Sequence, residues 1–388
     1  MNFDDNSLYN IKSSVDGKRY SLFELATWKN GLAFKKINFC ETGVPVIKIA
    51  ELNNGIGGTT AYTQQTFSED VHLCKGDLLF SWSGNPQTSI DIFRFNLDEG
   101  WLNQHIFKVT PDEKVVDRDY FYFLMKNLKP HFTQIATNKQ TTGLGHVTIA
   151  DIKRMSVVIP SLDVQRKIVS YIKPIDDKIE LNNEINNNLE HQISALYQSW
   201  FEDFDTTNGI CPENWNNQEL STIADISSGK RPPMKSESYS QETSVPIVGA
   251  ASVMGFTSEA NHTDKILVIG RVGTHGVVQR FNTPCWTSDN TLVIKSPYYE
   301  FTNQILQRID YSSMNRGSTQ PLITQGDMKK VRVLIPNAEI LAKFESFAGT
   351  LMKRWEANKQ ENVKLASLRD TLLPKLMSGE LDVSNVEI

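Results

Sequence analysis

Apolar residues recur along one stretch of this chain at alternating intervals of four and three. They run Ile168, Ile172, Ile175 and Ile179, continue through Asn182 and Asn186, and resume at Leu189, Ile193, Leu196 and Trp200. That spacing is the a/d seam of a coiled coil. Displaced by 176 residues, the seam returns as Phe344, Ala348, Leu351, Trp355, Asn358, Asn362, Leu365, Arg369, Leu372 and Leu376. Both central Asn positions recur. Arg369 is the one charged break, and its stem can lie along apolar surface. Pro174 inside the first run predicts a kink or a restart. A single seam cannot bury itself, so the two helices are expected to pair. Centred and antiparallel, the pair brings Asn182 and Asn186 onto Asn358 and Asn362, where polar core residues fix register at a cost in stability. The alternative is that each Asn caps a local break. A helix from Ile168 to Trp200 spans roughly 50 Å at about 1.5 Å per residue.

The seams belong to a larger duplication. Asp151-Ile-Lys-Arg-Met-Ser-Val-Val-Ile-Pro160 returns as Asp327-Met-Lys-Lys-Val-Arg-Val-Leu-Ile-Pro336, and each copy runs into a seam. Earlier segments are echoed as well. Leu22 to Gly31 parallels Leu220 to Gly229, and the β-branched run Val44-Pro-Val-Ile parallels Val245-Pro-Ile-Val. Asp77 to Gly84 parallels Leu267 to Gly273, a buried strand breaking into a glycine loop. Trp101 to Val109 parallels Trp286 to Ile294. Helices are predicted over Tyr120 to Pro130 and Tyr299 to Asp310. The period is too long for a solenoid. It predicts two similar mixed α/β heads on two long helices. The expected divisions are a segment 1–16, a first head 17–160, a helix and linker 161–215, a second head 216–336, and a helix and tail 337–388. Two similar heads on a helical scaffold suit a ligand repeated along a line.

Charge changes this picture in its distribution more than in its total of −5. The first head carries 16 Lys and Arg against 14 Asp and Glu, and the second 12 against 10. Residues 161–215 carry 4 against 10, so the acid lies mainly on the first helix and its linker. Weakly basic heads bind a polyanion poorly unless a partner adds positive surface. The four cysteines (Cys40, Cys74, Cys211, Cys285) form no CxxC pair, which fits reduced thiols and no zinc site. No stretch is apolar enough to span a bilayer and no signal peptide is evident, so a cytoplasmic protein is expected.

Catalytic signatures are missing. There is no Asn/Asp-Pro-Pro-aromatic motif for amino-methyl transfer; Asn85-Pro-Gln-Thr is the nearest. There is no Walker loop. Pro111-Asp-Glu-Lys114 holds the residue types of a nuclease metal site contiguously, which reads as a surface turn. Gly270-Arg-Val-Gly-Thr-His-Gly276 precedes a strand-like run, so it lacks the helix N-terminus that favours phosphate. Trp28, Trp101, Trp286, Phe121 and Phe123 read as core.

Head, helix, head, helix, with a strand and Pro before each helix, resembles the specificity subunit of Type I restriction–modification systems. The resemblance is carried by Asp151 to Pro160, by Lys178-Ile-Glu-Leu-Asn-Asn-Glu-Ile-Asn186, and by Gln198-Ser-Trp-Phe-Glu-Asp-Phe204. The tail Leu368-Arg-Asp-Thr-Leu-Leu-Pro-Lys-Leu-Met-Ser-Gly-Glu-Leu381 and the loop Gly317-Ser-Thr-Gln-Pro321 carry it further. It implies two target-recognition domains, each reading half of a bipartite, asymmetric double-stranded DNA site. An antiparallel helix pair would set the spacer and dock two methyltransferase subunits, with restriction (translocase–nuclease) subunits added. It implies a non-catalytic chain that binds no cofactor, with S-adenosylmethionine, ATP and Mg on the partners and adenine N6 as the methylated position. The rival is a coiled-coil scaffold with two heads for non-DNA ligands. A self-sufficient methyltransferase or nuclease conflicts with the missing motifs.

Base reading needs Arg, Lys, Asn, Gln, Ser and Thr on exposed elements that enter a groove. In the first head the candidates are Lys35, Lys36, Ser83, Asn85, Gln87, Thr88, Lys139, Gln140, Thr141 and Thr142. In the second they are Lys230, Arg231, Lys235, Arg271, Thr274, His275, Arg316, Ser318, Thr319 and Gln320. Asn103-Gln-His105 and Ser288-Asp-Asn290 rank below them as turn residues. Each polar loop has a plainer reading as a solvated turn.

Overall fold

A computed structural model describes residues 5–140, 143–272, 276–314 and 322–383. The chain forms two compact units, residues 1–181 with 361–388, and residues 182–360. Each unit is a mixed α/β head packed on part of each of two long helices, Leu162–Phe201 and Ala338–Ser378.

The first head is closed by strand Lys18–Ser21, antiparallel to Ser156–Ile159. Its main sheet is antiparallel, in the order Ala26–Asn30, Ile106–Pro111, Leu78–Ser81, Asp91–Arg94. A second sheet runs Tyr62–Thr63, Val44–Ile47, Glu99–Leu102, His72–Cys74, with Val44–Ile47 parallel to Glu99–Leu102. The helix expected over Tyr120 to Pro130 is two helices, Arg118–Asn127 and Lys129–Asn138. Pro130 falls in the first turn of the second, where its missing N–H costs nothing. Asp117 caps the first by accepting from the Asp119 and Tyr120 N–H groups.

The second head repeats this plan. Asn216–Glu219 pairs with Arg332–Ile335. The main sheet runs Asp225–Ser228, Thr291–Lys295, Ile266–Gly270, Gln279–Phe281. The smaller sheet runs Val253–Thr257, Val245–Val248, Trp286–Thr287, its last pair parallel. Helix Tyr299–Arg308 packs behind. The repeated Asp has a local cause. Asp151 and Asp327 close capping boxes with Thr148 and Thr324, fixing the entry to short helices that lead into the closing strands.

The long helices pair antiparallel. In the first unit Arg369 Nη1 donates to Asp176 Oδ1 at 2.9 Å, and Asn362 Nδ2 to the Ile179 carbonyl at 3.4 Å. In the second unit Asn358 Nδ2 donates to Asn186 Oδ1 at 2.9 Å, and Asn186 Nδ2 to the Trp355 carbonyl at 3.3 Å. Asn182, Asn186 and Asn358 are buried and Asn362 is half-buried. The Asn positions therefore satisfy the seam and do not cap breaks. Pro174 does not restart the helix, which is continuous from Leu162 to Phe201. Arg369 ends on a carboxylate, where the sequence suggested only a snorkelling stem.

The seam drifts where the helices meet the heads. Leu196 and Trp200 are half-buried, while Tyr197 and Phe201 are buried with Ile193 in the second head's core. Met352 likewise joins Phe344 and Ala348 there. In the first unit Leu373 and Met377 join Leu376, Ile168 and Ile172. A helix that packs on a head as well as on its partner needs a stripe wider than a and d.

The paired amides give a stability test. Asn358→Leu leaves the buried Asn186 Oδ1 without the donor Asn358 supplies and should cost roughly 1–3 kcal/mol. Changing Asn186 and Asn358 together to Leu should recover most of that loss. Urea unfolding of both variants checks it; equal losses from the single and double changes would refute a paired role.

Candidate nucleic-acid interface

In both heads the central strands of the main sheet end in one frame of backbone hydrogen bonds. In the first head the Trp82 N–H donates to the His105 carbonyl at 3.3 Å, and the Val147 N–H to the Trp82 carbonyl at 2.8 Å. In the second the Arg271 N–H donates to the Asn290 carbonyl at 2.8 Å, and the Ile323 N–H to the Arg271 carbonyl at 3.0 Å. The sheet registers agree, with Ser81 opposite Ile106 and Gly270 opposite Thr291. Arg271 therefore stands where Trp82 stands, and Asn290 where His105 stands.

A glycine completes each frame. A Cβ on Gly31 would meet the Asn103 carbonyl, and one on Gly229 the Ser288 carbonyl. Only glycine permits that approach. Leu32 and Lys230 follow as counterparts. The Leu32 N–H donates to Leu102 at 2.9 Å, and the Lys230 N–H to Thr287 at 2.9 Å. The turns Asn103 to His105 and Ser288 to Asn290 are thus part of the frame, packed as turn residues.

The side chains differ. In the first head the Trp82 indole donates to Asn30 Oδ1 at 3.1 Å. Its ring lies 5.6 Å from His105 and 5.7 Å from Phe107. The Gln104 amide lies 3.3 Å from His105 Nε2. The second head presents Ser228, Lys230, Arg271 and Asn290. Arg271 is half-buried, and its Nε is buried with no hydrogen-bond partner among the described residues. A buried donor of this kind calls for an acceptor.

The candidates read from sequence fall around this frame unequally. Ser83 lies in strand Ser83–Gly84, which pairs antiparallel with Gly145–His146. Asn85 builds its own turn, accepting from the Gln87 and Thr88 N–H groups at 2.9 and 3.3 Å. Gln87, Thr88 and Gln140 are exposed. Lys35 and Lys36 are exposed at the turn Lys36–Asn38. Lys230 and Arg231 are exposed next to the second frame. Lys235 is exposed beside Ser236, which bridges Phe256 on the smaller sheet. Thr141, Thr142, Thr274, His275, Arg316, Ser318, Thr319 and Gln320 lie outside the described residues.

Lys139 requires a correction. Its ammonium is not a free loop cation but makes two 2.6 Å bonds to the Asp151 carboxylate. Asp151 is only 2 % exposed. Burial pushes its carboxyl up, but the bonds from Lys139 and Thr148 outweigh this and hold it below the ordinary value of 3.8. The sequence reading passed over Trp82 and Asn30 and ranked Asn290 low. Aligning the repeats by register, with Trp82 against Arg271, is the signal that finds them.

Among the described residues no group of three or more His, Cys, Asp or Glu is placed to hold a metal. None of their helices is long and apolar enough to cross a membrane.

Comparison with known proteins agrees with this architecture. The family described as Type I restriction modification DNA specificity domain matches residues 15–191 and 212–365, so the duplication is two copies of that domain. The chain belongs to this family. It is 22% identical over 401 residues to the Type I restriction enzyme HindI specificity subunit of Haemophilus influenzae, covering 79% of this chain and 87% of that one. It is 25% identical over 324 residues to the MjaIX specificity subunit of Methanocaldococcus jannaschii, covering 73% of each. The fold matches the crystal structure of a Type I restriction–modification S subunit from M. genitalium. That match has a TM-score of 0.52 at 17% identity over 94% of this chain and 97% of the other. The protein is a Type I restriction–modification specificity subunit with two target-recognition domains.

The Lys139–Asp151 pair predicts a pH-dependent defect. A carboxyl held low in the folded state contributes stability above its ordinary value, and that contribution is lost as pH falls through the folded value. Lys139→Met should therefore cost roughly 1–3 kcal/mol at pH 7. The gap from wild type should shrink as pH is lowered from 7 toward 3, because protonation of the carboxyl removes the charge that Lys139 balances. Thermal unfolding at both pH values measures it, and a gap independent of pH would reject the pairing as its source.

Proposed function

We propose that each head reads one half of a bipartite, asymmetric double-stranded DNA target through its sheet-end frame. The observation that carries this reading is the frame itself: one backbone arrangement, occurring twice, with different side chains. Two equal frames fit two similar stretches of duplex. Trp82, His105, Asn30 and Leu32 in one, against Arg271, Asn290, Ser228 and Lys230 in the other, fit different base sequences. Arg271 has the chemistry for bidentate recognition of guanine, and Asn290 for adenine. The aromatic and amide groups of the first frame favour apolar and hydrogen-bonding contact with base edges.

The paired helices set the gap between half-sites and dock two methyltransferase subunits. A scaffold of roughly 50 Å at about 1.5 Å per residue is long enough for half-sites one duplex turn, about 34 Å, apart. Mildly basic heads leave part of the phosphate neutralisation to those partners. S-adenosylmethionine sits on the methyltransferase subunits, and ATP and Mg on the restriction subunits. Methylation is at adenine N6.

Co-expression with a Type I methyltransferase subunit from the same genome, followed by single-molecule sequencing of host DNA, tests the reading. The expected outcome is one methylated motif with two fixed halves and a constant gap. Replacing residues 17–160 by the same region of a relative should change one half alone. A change in both halves, or a stable complex that leaves DNA unmethylated, would count against it and favour a scaffold for other ligands. Arg271→Ala should relax discrimination at a single base position, by about 1–3 kcal/mol, with the other half unaltered.

A further inference from the structure

In the first unit, residues 5–14 occupy a seat with three walls. Helix Asp5–Tyr9 buries Leu8 and Tyr9 in the core of that unit. The Tyr9 hydroxyl donates to Asp151 Oδ1 at 3.2 Å, and the Arg154 guanidinium lies 3.8 Å over the Tyr9 ring. The chain then extends. The Ile11 N–H donates to the Ser156 carbonyl at 2.9 Å, on the edge of strand Ser156–Ile159 away from Lys18–Ser21. The Ser14 N–H closes onto the Ser378 carbonyl at 2.8 Å, at the end of the second long helix.

The second unit contains the same seat. Asp327, Lys330 and Arg332 hold the repeat positions of Asp151, Arg154 and Ser156. Tyr197 and Phe201, near the end of the first long helix, hold those of Leu373 and Met377. These five residues line one groove of about 730 Å³, whose remaining wall includes Ile305, Ile309 and Met314. The strand edge recurs too. Among the described residues, Arg332–Ile335 pairs only with Asn216–Glu219, whereas Ser156–Ile159 also takes residues 10 and 11. Charged residues, Glu202, Arg308 and Asp310, complete the lining. An unpaired edge beside a groove of mixed apolar and charged lining accepts an added extended segment.

We propose that this groove is a docking site for a segment of a partner polypeptide patterned like residues 8–11. The segment presents Leu and Tyr on one turn, then an extended residue that adds to the edge of Arg332–Ile335. The Tyr ring packs under Lys330 and its hydroxyl reaches Asp327. The partner is a different polypeptide, not a second copy, because this chain's own segment is held in the first unit through Tyr9, Ile11 and Ser14. The inference goes beyond DNA reading, and its test contains no DNA.

The probe is a fluorescent synthetic peptide of residues 5–16, titrated into the full-length chain by anisotropy. A second peptide carries photoreactive benzoylphenylalanine in place of Tyr9 for cross-linking and mass mapping. Saturable binding is expected, with adducts within 305–314 or 330–334. The Lys330→Glu chain and the Tyr9→Ala peptide should each bind at least about tenfold more weakly. Adducts confined to 151–158 would mean exchange into the first seat and would overturn the proposal, as would unsaturable binding. Sedimentation completes the test. A chain that self-associates, and that the peptide dissociates, would make the occupant a second copy and overturn the assignment to another polypeptide.

Discussion

Each head of this protein has an apolar face that the long helices close. In the first unit Phe80, Phe121 and Phe132 share one core with Ile168, Ile172, Leu373 and Met377. In the second, Phe301 and Leu306 share theirs with Ile193, Tyr197, Phe201, Phe344 and Met352. A side chain in such a core contributes about 2–5 kcal/mol when truncated to Ala. The helices are therefore half of each head's interior as well as a scaffold. The drift of burial from a and d toward neighbouring positions follows from that double duty.

Polar groups then specify the arrangement. Apolar stripes alone tolerate sliding and reversal. The Asn186–Asn358 pair, with the carbonyls that the Asn side chains meet, favours one register within the second unit. At the joint of head and helix in the first unit, Asp176 receives Arg369 at 2.9 Å and Arg94 at 3.5 Å, and Arg94 also meets Asp119 at 2.9 Å. In the second unit Arg308 meets Glu202 at 2.9 Å and the Ser194 hydroxyl at 2.9 Å. A different set of polar residues ties each head to its helices.

The frames divide labour in the same way. Backbone N–H and carbonyl groups, together with Gly31 and Gly229, hold the loops. The side chains those loops project are then open to change at little cost to the fold. Lys139 shows the limit of that freedom, because it neutralises a buried carboxylate that also closes a capping box.

Much of this was legible in the sequence. The long helices, their antiparallel pairing, the central Asn positions and the strands Val44–Ile47 and Val245–Val248 follow from periodicity and from internal repetition, which are local or self-comparing signals. The family followed from motifs on the helices and the tail. Three things were decided by tertiary structure. Pro174 is accommodated within a continuous helix because packing on head and partner outweighs one lost backbone bond. Lys139 is tied to Asp151 because the fold folds a loop back onto a capping residue that is adjacent in neither charge pattern nor motif. The frame around Trp82 and Arg271 is invisible residue by residue, since a tryptophan and an arginine share no composition signal. Only strand register, set by long-range hydrogen bonds, puts them in the same place.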